Sequence, residues 1–145
     1  MELLFKQIQS VVDKDLPLVS NLSNVSSILS KMDNLNWVGF YLVDEKNDLY
    51  LGPFQGDVAC TRIPYGKGVC GTSLKEKKTI IVDDVNQFAG HIACSSLSKS
   101  EIVVPIFKGD KVVAVIDVDS PIYSRFSNKE KEFLEEVAKL LSPLF

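Results

Sequence analysis

Residues 101–119 read EIVVPIFKGDKVVAVIDVD. Two apolar runs rich in β-branched residues are separated by Lys108-Gly109-Asp110, which is the pattern of two strands closed by a tight turn. Alternation places Val112, Ala114, Ile116 and Val118 on one face of the second strand. Val113, Val115, Asp117 and Asp119 fall on the other. Both faces are largely apolar, so the sheet is expected to be covered on both sides. Hairpin pairing brings the start of the first strand beside the end of the second. Glu101, on the same face as Val103, is then expected near Asp117 and Asp119. Three carboxyl groups converging in this way invite an ammonium group, a metal ion or a group that needs a proton.

Working outward, NWVGFYLVD at 36–44 also alternates, with Trp37, Gly39 and Tyr41 on one side and Val38, Phe40 and Leu42 on the other. The glycine between two aromatics predicts space above it and a cavity wall. DLYLGPF follows EKN as a hairpin partner, and DVACTRIPY at 57–65 is a further strand candidate. Leu16, Val19, Leu22, Val25, Ile28, Leu29 and Met32 recur at helical spacing, predicting a helix over 16–32 after a shorter one around Leu4–Val12. Ser127 and Glu130 form a capping box ahead of Phe133, Leu134, Val137, Leu140 and Leu141. The fold class is therefore α+β, a central antiparallel sheet flanked by N- and C-terminal helices. With no internal repeat or linker, residues 1–145 read as one domain.

The chain has 145 residues, 46% hydrophobic and 24% charged, with a net charge of −3. That balance suits a folded domain and excludes a basic nucleic-acid surface. Leu74-Lys75-Glu76-Lys77-Lys78 reads as a solvated helix end. No signal peptide or membrane span is recognisable, so a cytoplasmic protein with no membrane partner is expected. Three cysteines do not make a structural disulfide framework in that setting. Cys94 lies in 83–99, DDVNQFAGHIACSSLSK, a segment with no sustained period and hence a candidate functional loop. His91 reads as a loop histidine satisfied by backbone, with a thiol-activating role as the alternative. ACTRIPYGKGVCGT at 59–72 offers backbone amides but is no nucleotide-binding motif and opens no long helix. Cys60, Cys70, His91 and Cys94 form only a minor candidate zinc set, and no metal is expected.

NWVGFYL, LGPFQG-x-x-AC-x-x-I, GKGVCG, GHIAC, SEIVVPI and V-x-DVDS occur in this order. Together they resemble the free methionine-(R)-sulfoxide reductases, stand-alone enzymes of the GAF fold. The resemblance runs from about Trp37 to Ser120. Ala89 and Ser95 depart from it, where a proline and an acid are common. It implies that Cys94 is catalytic, attacking the sulfoxide sulfur of free methionine-(R)-sulfoxide and becoming a sulfenic acid. A disulfide with a resolving cysteine would follow, Cys60 first and Cys70 as the alternative, with thioredoxin as external reductant and no bound cofactor. Trp37, Tyr41, Glu101, Asp117 and Asp119 would line the substrate site. The family also implies a homodimer. The competing reading is a GAF-type sensor that binds an amino-acid-like ligand without chemistry.

Overall fold

The computed structural model describes residues 1–90 and 97–145, so His91 and Cys94 lie outside the described residues. Elements follow in the order α1 (Glu2–Val11), α2 (Leu18–Leu29), β1 (Trp37–Val43), β2 (Leu49–Gly56), β3 (Arg62–Ile63), α3 (Gly68–Glu76), β4 (Ile80–Val82), β5 (Ser100–Lys108), β6 (Lys111–Ser120) and α4 (Asn128–Leu141). Six strands form one sheet in the order β3-β2-β1-β6-β5-β4. Every neighbouring pair is antiparallel. The hairpin expected from 101–119 is present and central. Its register sets Glu101 opposite Asp119 and Val103 opposite Asp117.

Both faces of the sheet are covered, as the two-sided apolar pattern requires. Val38, Phe40, Ile102, Val104, Ala114, Ile116 and Val118 pack on one face against Ile8 of α1, Leu22, Val25 and Leu29 of α2 and Phe133, Leu134, Val137 and Leu141 of α4. The N- and C-terminal helices thus share a face. The opposite face holds Trp37, Tyr41, Val103 and Val115 under Val69, Cys70 and Leu74 of α3. A register shift between Ile106 and Phe107 exchanges two expected positions. Val112 lies in the cluster under α3, and Val113 packs with the helical side. One extra residue in a ladder inverts side-chain direction from there on.

Local rules account for most boundaries. Pro17 starts α2 at Leu18, leaving Leu16 outside the expected helix and exposed. The Ser127 capping box is made in full at the start of α4. Lys77 ends α3 in the left-handed conformation, so the lysine-rich stretch is a helix end as expected. One expectation needs correction, and two elements were not anticipated. Only Arg62–Ile63 of DVACTRIPY pairs as a strand, because Asp57–Thr61 is irregular. Ile80–Val82 is an edge strand too short to show a period. The glycine-rich stretch opens a short helix, the nine-residue α3, whose contacts with β5 and β6 stabilise what its weak apolar pattern does not.

Candidate functional site

The site is assembled from three adjacent strands at one end of the sheet, on the face under α3. Across β1, β6 and β5, Trp37 pairs with Asp119 and Asp119 with Glu101. In the next row Gly39 pairs with Asp117 and Asp117 with Val103. Opposed side chains on one face approach to about 5 Å at Cβ. The register therefore forces three carboxyl groups and one indole together. Glu101 and Asp117 are buried, at 7% and 6% exposure, and Asp119 is partly so. A partly enclosed cavity of about 50 Å³ is lined by these acids, Trp37, Tyr41, Cys70, Ser98, the segment Asp57–Ala59 and the start of α3 at Lys67–Val69.

Three buried acids cannot all ionise cheaply. Burial, then the charges of Asp117 and Asp119, hold the Glu101 carboxyl well above its ordinary range. Its side-chain hydrogen bonds to both aspartates favour the protonated form. Burial and then the Asp117 charge raise Asp119, while hydrogen bonds from Glu101 and Ser98 oppose the rise. Asp119 Oδ1 is buried without a hydrogen-bond partner among the described residues. Ser98 itself accepts from Asn36 Nδ2 at 3.1 Å. This ties Ser98, just ahead of β5, to the acid row.

The aromatic residues form a wall beside the acids. Trp37 stacks on Phe54 at 5.1 Å and on Tyr41 at 5.9 Å between ring centroids. Space above Gly39, expected to be empty, is occupied. A Cβ there would stand 2.3 Å from Phe54 Cβ, so glycine serves the close approach of β2 rather than a void. Burial, then the charge of Asp117, pushes the Tyr41 phenol above its usual range. It remains a donor and gives its proton to the Cys60 carbonyl at 2.8 Å. Trp37 Nε1 donates to the Asp57 carbonyl at 3.1 Å.

The two described cysteines differ sharply. Cys60 is disulfide-bonded, which removes its thiolate from the four-ligand zinc set. Cys70 is a free, buried thiol. Burial and then the Asp117 charge raise its pKa, and it hydrogen-bonds to Asp117. A thiol so held is a poor nucleophile. Cys70 Sγ and carboxylate oxygens of Glu101 and Asp117 lie within 4.8 Å of one another.

Trp37, Tyr41, Glu101, Asp117, Asp119 and Cys70 are thus brought to one cavity, and Cys60 adjoins it through Tyr41 and Ala59. Sequence reasoning missed Ser98, Lys67 and the irregular Asp57–Ala59 wall. Only Gly66 and Gly68 signalled that the backbone at Lys67 turns sharply, both having positive φ.

The GAF domain model matches residues 18–143. A Staphylococcus aureus structure described as fRMsr in its reduced form is 51% identical, with a TM-score of 0.93 over 99% of this chain and 93% of that one. The free methionine-R-sulfoxide reductase of Neisseria meningitidis in complex with its substrate is 45% identical, with a TM-score of 0.93 over 98% of this chain and 86% of that one. A free methionine-R-sulfoxide reductase of Saccharomyces cerevisiae is 48% identical over 98% of this chain and 83% of its own length.

Proposed function

We propose that this chain, which belongs to the GAF-domain family and within it to the free methionine-R-sulfoxide reductases, reduces the sulfoxide of free L-methionine-(R)-sulfoxide. The observation that carries the proposal is the row Trp37–Asp119–Glu101. An aromatic wall, an ionisable acceptor and a carboxyl of raised pKa stand side by side there in one partly enclosed cavity. The substrate ammonium binds Asp119 and Asp117, where the acceptor at Asp119 Oδ1 would gain its partner. The substrate carboxylate faces the amides that open α3 and Lys67, since a helix N-terminus favours an anion. Holding both ends excludes methionine sulfoxide within a peptide. Trp37 and Tyr41 wall the methyl and thioether end.

The chemistry needs a nucleophile and a proton. Cys94 is the proposed nucleophile: its thiolate attacks the sulfoxide sulfur and forms a sulfur–sulfur bond while Glu101 gives a proton to the oxygen. The sulfur–oxygen bond breaks with loss of hydroxide, whose attack on the Cys94 sulfur breaks the sulfur–sulfur bond, so that methionine leaves and Cys94 carries the hydroxyl as a sulfenic acid. Cys60 then condenses with it, releasing water and leaving a disulfide that thioredoxin reduces. Cys60 is favoured over Cys70 because it is disulfide-bonded while Cys70 is a free thiol with a raised pKa. Electrons thus enter from an external protein rather than a bound cofactor. The same proposal includes one domain over 1–145, a homodimer and a cytoplasmic setting. Among the described residues no helix is long and apolar enough to cross a membrane.

The test is a coupled assay with thioredoxin, thioredoxin reductase and NADPH on the free (R)-sulfoxide. Wild type is expected to produce methionine, and Cys94→Ser is expected to abolish turnover. Full activity in Cys94→Ser would refute the assignment. Calorimetric binding of the sulfoxide with no methionine formed under reducing conditions would favour the sensor instead.

A further inference from the structure

We infer that Trp37 and Tyr41, besides walling the substrate, are positioning residues for the resolving step, holding by two side-chain hydrogen bonds the segment that carries Cys60. The inference rests on the reductase reading. Its basis is a pair of hydrogen bonds donated from one strand face. Trp37 Nε1 donates to the carbonyl of Asp57, and Tyr41 Oη donates to the carbonyl of Cys60. The donors are four residues apart on β1, and the acceptors bracket the irregular run Asp57–Cys60. Just beyond it, Leu51 N donates to Thr61 O at 3.0 Å and restores the β2–β3 pairing.

Within that run Val58 is 90% exposed, while Ala59 and Cys60 are half-buried against the cluster under α3. The two donors add a hold on the backbone at each end of the run, one that persists when the Cys60 disulfide is reduced, and they are rigid. Trp37 and Tyr41 are 5% and 2% exposed, and the indole is stacked between Tyr41 and Phe54. The phenol faces the acid row on its other side and stays protonated, so its bond to Cys60 is a donor bond at every working pH.

Such fixing matters in the second step. The Cys60 sulfur must meet the sulfenic sulfur of Cys94. Cys60 loses its thiol proton, the sulfur–sulfur bond forms, the sulfur–oxygen bond breaks, and the hydroxyl leaves with that proton as water. Disulfide geometry tolerates a narrow range of separations and torsions. A swaying segment would rarely present Cys60 within it. Substrate reduction itself does not involve Cys60, but Trp37 and Tyr41 also wall the substrate, so the readout is the rate of the second step relative to the first.

The experiment is a single turnover of the fully reduced protein with free methionine-(R)-sulfoxide. Quenched samples are analysed for methionine, for dimedone-trapped sulfenic acid and for disulfide by mass spectrometry. In Tyr41→Phe the ring remains and the hydroxyl is lost. The ratio of disulfide formation rate to methionine release rate is expected to fall about tenfold, the kinetic equivalent of one neutral hydrogen bond. Trapped sulfenic acid should accumulate. Trp37→Phe should lower the same ratio, and it decides the matter if Tyr41→Phe does not fold. An unchanged ratio, with both steps slowed together or neither slowed, overturns the inference. Absence of methionine from the wild-type protein would instead overturn the reductase reading.

Discussion

Replacing Glu101 by glutamine removes one of three crowded buried carboxyls while keeping its size and its ability to donate a hydrogen bond. In the folded protein Glu101 is raised well above its ordinary 4.5 by burial and then by Asp117 and Asp119. A carboxyl raised in this direction contributes no penalty below its unfolded value. Above that value it costs stability progressively, until pH reaches the folded value. The pH 7 side chain lies about 2.5 pH units above 4.5, and each unit is worth about 1.4 kcal/mol. If the proton is retained throughout, the wild-type protein forfeits at most about 3 kcal/mol at neutral pH relative to acid. Glutamine does not titrate. Urea denaturation of Glu101→Gln, in the same redox state as wild type, should therefore give similar stability near pH 5 and a gain of up to about 3 kcal/mol near pH 7. Asp119, raised mainly by burial too, leaves a residual slope. Methionine production should fall at least about tenfold, because the amide cannot deliver a proton to the leaving oxygen. A variant that loses stability at pH 7, or that keeps the full wild-type slope, would show that the three groups do not share their protons as described.

Gly39→Ala should destabilise by about 1–3 kcal/mol in thermal or urea unfolding, because the added Cβ meets the Phe54 Cβ and backbone. An unaltered midpoint would mean that β2 yields freely. Cys70→Ser retains a donor toward Asp117, so thioredoxin-linked turnover should persist and the substrate-induced disulfide should still form on non-reducing mass spectrometry. Loss of that disulfide would move the resolving role to Cys70. Ser127→Ala removes the cap that accepts from Lys129 N and contacts Glu130, costing about 1 kcal/mol in unfolding free energy. A change within error would mean that Glu130 alone secures the start of α4.

The central hairpin was legible from EIVVPIFKGDKVVAVIDVD because period-two alternation and a glycine turn are local signals. So were the capping box at Ser127 and the paired aromatics Trp37 and Tyr41. Their legibility has a common cause: each follows from residues a few positions apart. The convergence of Glu101 with Asp117 and Asp119 was readable for the same reason, since a short turn sets the register of its two strands. Other features were not local. The Val112–Val113 exchange arises from a register shift that alternation does not reveal. The filled space above Gly39 depends on Phe54, which arrives from the neighbouring strand. Ile80–Val82 is a strand because β5 offers an edge, not because three residues carry a pattern.

What the sequence by itself determined is the family and the α+β class, since motif, period and composition are properties of the chain. Only the tertiary structure decided how the side chains of the site differ in state. The Glu101 pKa is raised by its burial and by two neighbouring aspartates, and that of Cys70 by its burial and the same acid cluster. The Cys60 carbonyl is held by a tyrosine nineteen residues earlier. Each depends on distance and desolvation between residues far apart in the chain, which exist only after the sheet has closed.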